Sequence, residues 1–219
     1  MSFADPHQAD DFVLSTFGQG WINQSGTDNG TSATNNYTAG NCATNACSSI
    51  LSGEFRNFFE FNIPVLNGPI VSASLVLSTG EISLVQDPTG LVYQVTWLSS
   101  LTFANLGTGT VYGSRTYTAT DELADRSIAL DADAISAIGN GGITFSVSGR
   151  VISGATLPLT FGGSAPNELV FGGTEGFSEV LRITTVSVPG PIAGCRTARP
   201  DLGGRRPCRL VATATEDLG

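Results

Sequence analysis

Lysine is absent from all 219 residues, and histidine occurs once, at His7. With a single imidazole, a Ser-His-Asp or Cys-His constellation could be built only around His7, and no Gly-x-Ser-x-Gly nucleophile elbow is present. HExxH, P-loop and strand-linked Gly-x-Gly-x-x-Gly signatures are missing too, which removes support for metalloprotease and nucleotide-binding readings. Charged residues make up 13% of the chain and acids outnumber arginines, giving a net charge of −9. Nucleic acid is thereby excluded as a partner, because phosphate binding needs a concentrated basic surface. No apolar run is long enough to span a bilayer. A mean hydropathy of +0.13 nevertheless rules out a chain too polar to fold.

What is present is a two-residue rhythm. From about residue 54 onward, alternating apolar and polar residues are cut by Gly, Pro, Asn and Asp turns, the pattern of an all-β antiparallel sandwich. Strands are predicted at 11–17, 56–63, 70–77, 91–97, 110–118, 126–130, 143–151, 157–161, 168–171 and 179–188, about ten in all. Phe59, Phe61 and Ile63 should face one way, with Phe58, Glu60 and Asn62 opposite. Ile143, Phe145 and Val147 form a dry face against Thr144, Ser146 and Ser148, and Trp97 continues the core face of Tyr93 and Val95. One short helix is predicted at 131–138, capped by Asp131 and stopped by Gly139-Asn-Gly-Gly. The domain is expected to span 10–187, with a lead over 1–9.

Cys42 and Cys47 are the body's only cysteines, set in Asn-Cys-Ala-Thr-Asn-Ala-Cys. That polar loop suits a small disulfide better than a metal site, free thiols being the alternative. Ser2-Phe3-Ala4 has the small-x-small form of a signal-peptidase site, which would start the mature chain near Asp5; a plain start at Met1 is the alternative.

After Gly194 the composition changes. Five of the ten arginines fall in the last 26 residues, in a run with neither helical nor strand period. Back-translated with GC-rich codons and read one base later, this run becomes Gly-Ala-Gly-Leu-Pro-Gly-Leu-Ile-Leu-Ala-Ala-Gly-Ala-Leu-Ala-Gly-Trp-Trp-Arg-Arg-Arg-Arg-Lys-Ile. That string is a short membrane segment with an interfacial Trp pair and a basic stop. Joined to Val188-Pro189-Gly190-Pro191-Ile-Ala, it resembles the C-terminal sorting signal of PEP-CTERM proteins, which exosortases process. A native basic tail over 188–219 is the competing reading. Arg-Asn-Phe-Phe-x-Phe, Gly68-Pro-Ile-Val-Ser-Ala-Ser-Leu-Val-Leu77 and Glu179-Val-Leu-Arg-Ile-Thr-Thr185 are similar to other PEP-CTERM surface domains. More loosely, they resemble DNRLRE-type jelly-roll modules. The resemblance covers about 10–192 and implies a jelly-roll-like fold and export to the cell surface or matrix. It also implies a non-catalytic role with exopolysaccharide or biofilm, and it transfers no catalytic residue.

Candidate sites follow from composition. Trp21 and Tyr37 stand in the Asn- and Thr-rich segment 18–53, where an aromatic face among hydrogen-bonding side chains could stack on a sugar ring. Asp5, Asp10 and Asp11 offer carboxylates to a structural calcium, no other cofactor being indicated. Glu54 with Glu60, and Glu175 with Glu179, are the acid pairs a glycosidase would need. Arg56 and Arg182, inside strands, should pair with acids across the sheet. Two rival readings remain beside glycan binding: a self-assembling surface or filament subunit that joins by exposed strand edges, and a polysaccharide-active enzyme using paired carboxylates.

Overall fold

The computed structural model describes residues 9–42, 52–84, 89–140, 142–154, 167–177 and 179–186. Within them lie β1 (Ala9–Asn23), β2 (Ala39–Cys42), β3 (Gly53–Asn62), β4 (Ile70–Ser78), β5 (Glu81–Leu84) and β6 (Leu91–Trp97). These are followed by β7 (Val111–Tyr117), β8 (Asp125–Ala129), α1 (Ala132–Asn140), β9 (Thr144–Gly154), β10 (Glu168–Gly172) and β11 (Val180–Val186). The fold is an antiparallel β-sandwich. The chain divides into a unit Met1–Val188 and a second, Pro189–Gly219; the motif 188–191 and the tail after it lie outside the described residues. The strand expected at 157–161 lies outside them as well. Among the described residues no helix is long and apolar enough to cross a membrane.

β1 belongs to both sheets. Ala9–Ser15 pairs with β11, which continues through β4 to β8. A bulge between Thr16 and Gly18 then turns the strand, and Thr16–Asn23 pairs with β3 in the second sheet. The Thr16 hydroxyl holds the bend, within hydrogen-bonding distance of the Gly18 carbonyl at 2.8 Å and the Glu60 carbonyl at 3.0 Å. β3 also pairs with both β2 and β9. From β2 the sheet runs to β10 and β5, and from β9 to β6 and β7.

The core between the sheets is built by the alternation read from sequence. Phe59, Phe61, Leu75, Leu77, Leu91, Val95 and Leu181 are completely buried; each is worth about 1.5–3 kcal/mol relative to exposure. α1 is capped as expected, Asp131 Oδ1 accepting from the Ala134 N–H at 3.0 Å, and it buries Ala134 and Ile138.

β3 departs from the one-wet-face expectation. Phe58 is buried as well, in a second cluster with Ile22, Leu98 and Leu106, because the segment after β6 folds over that face. Arg56 fastens it there, Nη1 donating to the carbonyls of Phe103 at 3.1 Å and Leu106 at 3.0 Å while the guanidinium sits 4.2 Å from the Phe103 ring centroid. Its acid partner is Glu54, two residues back on the same strand rather than across the sheet. Arg182, flanked by Val13 and Ser74, is exposed and makes no ion pair among the described residues. Trp97 is 48% exposed and not core: a register shift between Val95 and Thr96 ends the alternation, burying Thr96 and turning Trp97 outward. Ile143, at 79% exposure, precedes β9 and misses the core too.

Candidate functional site

The segment between β1 and β2 is rich in Asn, Thr and Gly, and its side chains replace a strand ladder. Asn23 Oδ1 accepts from the N–H groups of Ser25 and Thr27, at 3.1 and 2.9 Å. Asp28 Oδ1 accepts from Gly30, and Asn36 Oδ1 from Thr38, in Asx-type turns. Asn29 is the central clasp: its Oδ1 accepts from the Trp21 N–H at 2.8 Å and its Nδ2 donates to the Asn36 carbonyl at 2.6 Å. Fully buried Gln19 donates from Nε2 to the carbonyls of Asn35 and Phe177, both at 2.8 Å, tying the segment to the turn before β11. The close approach depends on Gly20, where a Cβ would lie 2.5 Å from the Gly30 carbonyl oxygen.

Folded this way, the segment forms one wall of a cavity of about 740 Å³, within the size range of small-ligand sites. Trp21 and Phe55 supply its aromatic surface, the two rings edge to face with centroids 4.9 Å apart. Asn29, Asn35, Asn36 and Thr38 supply polar wall, and Ile82, Leu169 and Gly172 come from the strands opposite. Three carboxylates complete it: Glu81 opens β5, Glu122 follows a 3-10 turn at Ala119–Asp121, and Glu175 lies in the turn after β10. Glu122 Oε1 accepts from the Ile82 N–H and Glu175 Oε1 from Asn36 Nδ2, each at 3.3 Å. Next to Glu122, the Asp121 carboxyl fixes the turn. Burial pushes it up, but hydrogen bonds from Thr118 and the guanidinia of Arg126 and Arg115 outweigh that and hold it at about 2.

Tyr37 is elsewhere. It is completely buried, its ring against Phe59 and Phe171, so it presents no face to a ligand; the reading of Tyr37 as a binding residue is corrected to a core one. Its hydroxyl bonds to the Glu179 carboxyl and to the Ser78 carbonyl. Burial raises Glu179 to about 7, against hydrogen bonds from Tyr37 and Ser78 that lower it. Burial, then the Glu179 charge, raises Tyr37.

The acid pairs read from sequence come apart. Glu175 faces the cavity while Glu179 is sealed in the core. Glu54 is buried in a two-point pair with Arg56, Oε1 to Nε at 2.7 Å and Oε2 to Nη2 at 3.1 Å. Glu60 is half-buried and its carboxyl is raised by burial. Asp10 and Asp11 are successive residues of β1 and point to opposite sides of the strand, so they cannot converge on one cation. Asp11 accepts instead from the Thr184 hydroxyl at 2.8 Å. Asp5 lies outside the described residues, which contain no cluster of three or more potential metal ligands. Cys42 ends β2 in full burial, and Cys47 lies outside the described residues. Sequence reasoning missed Glu81 and Glu122. No local signal marks them, since their convergence depends on β5 pairing with the far edge of β10.

No protein-family profile matches the chain, and none of the curated proteins does.

Proposed function

We propose that this chain is a non-catalytic glycan-binding sandwich, exported to the bacterial cell surface or matrix, where it associates with exopolysaccharide through the Trp21 cavity. One observation carries the reading: a half-buried indole lines a concave site together with amide and carboxylate groups. That arrangement suits a sugar, whose apolar ring face stacks on the indole while its hydroxyls meet hydrogen-bonding side chains. Export and exosortase handling rest on the resemblance of Val188-Pro189-Gly190-Pro191 and the reframed tail to a sorting signal. They are tested by the gene's nucleotide sequence. Third-position G across the codons for Val211–Thr215 is expected, and its absence removes the recovered arginine stop.

The binding reading is tested on a glycan array, with the full chain and Trp21→Ala side by side. Binding that is lost on substitution is expected. No binding to any glycan, or binding indifferent to Trp21, leaves the site without a ligand.

A polysaccharide-active enzyme is the second reading, favoured by three carboxylates in one cavity. Release of reducing ends from a bound polysaccharide, abolished by Glu81→Gln, Glu122→Gln or Glu175→Gln, would establish it. Assembly through strand edges has weaker support, because edge strand β8 carries Asp125 and Arg126 and edge strand β7 carries Arg115, charges that discourage pairing between copies. A concentration-independent monomer on a sizing column is expected.

A further inference from the structure

We propose that the cavity selects a sugar bearing a free, protonated amine, a glucosamine-type unit, over its N-acetylated form and over acidic sugars. This rests on the glycan reading above and narrows it.

The first argument is charge. Glu81, Glu122 and Glu175 all line the cavity, and none of its described lining residues is basic. The cations that could neutralise them are committed elsewhere: Arg115 and Arg126 to Asp121, and Arg56 to Glu54. A uronic acid or phosphorylated sugar would meet three like charges, whereas an ammonium would meet three opposite ones.

The second argument is independent of charge and concerns hydrogen bonding. The amide nitrogens of Asn29, Asn35 and Asn36 already use one of their two N–H groups, on the Asn36 carbonyl, the Asn29 carbonyl and Glu175 Oε1, so each has a single donor left against the several lone pairs of each carboxylate. The Thr38 hydroxyl already donates to Asn36 Oδ1. What the wall still offers is mostly acceptor capacity, above all carboxylate oxygen, so the fitting ligand is rich in donors. An ammonium brings three donors and no acceptor, while an N-acetyl group brings one donor and one acceptor. Carboxylates alone would be ordinary solvated turns. The concave wall and the Trp21 ring, which also attracts a cation to its face, make them a site.

The experiment is calorimetric titration of the full chain with a glucosamine tetramer, an N-acetylglucosamine tetramer and a galacturonic acid tetramer. The glucosamine tetramer should bind about tenfold more tightly than the N-acetylated one, the size expected of a few solvent-exposed charge contacts. The galacturonic tetramer should not bind. The preference should shrink at high salt, through screening, and disappear in the triple variant Glu81→Gln, Glu122→Gln, Glu175→Gln. Equal or tighter binding of the N-acetylated tetramer, or a preference that survives the triple variant, overturns this inference and leaves the glycan reading standing. Glucosamine binding indifferent to Trp21→Ala also overturns it, marking general attraction to an acidic protein. Binding of none of the three, together with a blank array, overturns both.

Discussion

The phenol of Tyr37 and the carboxyl of Glu179 are joined, with the backbone of Ser78, in a closed hydrogen-bonded ring inside the sandwich. Tyr37 is 0% exposed and Glu179 2%, and the Ser78 N–H donates to Glu179 Oε2 at 2.7 Å. With Glu179 ionised, one phenol proton must serve both the carboxylate and the Ser78 carbonyl, 2.6 Å away. With Glu179 protonated, its O–H donates to the phenol oxygen and the phenol proton goes to the Ser78 carbonyl. Every donor then has its own acceptor.

The ring predicts a pH dependence of stability. The carboxyl has a reference value of 4.5 and is raised to about 7 in the fold. Between those values the native state keeps a proton that the unfolded chain has released. The stabilisation is therefore complete below pH 4.5 and is lost as pH rises through about 7. The shift corresponds to about 3 kcal/mol, at about 1.4 kcal/mol per pKa unit. Glu179→Gln imposes the protonated pattern, its amide donating to Tyr37 and accepting from Ser78. The variant should match the parent near pH 4.5 in urea unfolding and exceed it near pH 8. Parallel pH profiles for the two proteins would sink the assignment.

The buried pair of Arg56 and Glu54 makes a second prediction. Arg56→Ala strands the Glu54 carboxylate, releases the Phe103 and Leu106 carbonyls and uncovers the apolar patch beneath. Breaking one half of a buried pair costs about 3–5 kcal/mol. The unfolding midpoint should fall accordingly, and the first new site of limited proteolysis should lie within 98–109. Replacing both residues, Glu54→Leu with Arg56→Met, should recover much of the loss, since no buried charge is then left unpaired.

How much of this was legible in the sequence depends on what each element relies on. β3, β4, β6 and β11 announce themselves, because a strand with a core face needs apolar residues at every second position. β2, Ala39-Gly-Asn-Cys, and β5, Glu81-Ile-Ser-Leu, carry no such signal and exist because β3 and β10 offer them partners. Tyr37 was hidden for the opposite reason: a core aromatic sits in a segment whose other residues are polar because they bond to one another. Trp21 was visible as an aromatic among amides. Of its acidic neighbours in the cavity only Glu175 was named, and with the wrong partner; Glu81 and Glu122 were not, since the three arrive from separate turns and strand ends.

The amide clasp at Asn29 separates the site from the fold. Asn29→Ala removes the acceptor of the Trp21 N–H and the donor to the Asn36 carbonyl, both part-buried. Each orphaned group costs about 1–3 kcal/mol if it stays dry, and rearrangement of 24–38 is the cheaper outcome. The expected result is an intact sandwich by circular dichroism with faster amide exchange at Trp21 and weakened sugar binding. Gly20→Ala should do the same through the clash with the Gly30 carbonyl. Loss of global stability with sugar binding unchanged would show that the segment does not build the site.

Cys42 offers the last prediction, because it is fully buried at the end of β2, which lies between β3 and β10 in the second sheet. We expect it to be bonded to Cys47, only five residues on. Alkylation of the denatured chain without reductant should then leave both cysteines unmodified, and reduction should expose both. Closing so short a loop is worth about 2 kcal/mol on the chain-entropy account, so reduction should lower the unfolding midpoint modestly without abolishing the fold. A linkage at this point would restrict the end of β2 and hold its pairing with β10, the strand that carries Leu169 and Gly172 into the cavity wall. Sugar affinity should therefore fall on reduction. If both thiols alkylate without reductant, the pair is free and β2 is held by its ladder alone.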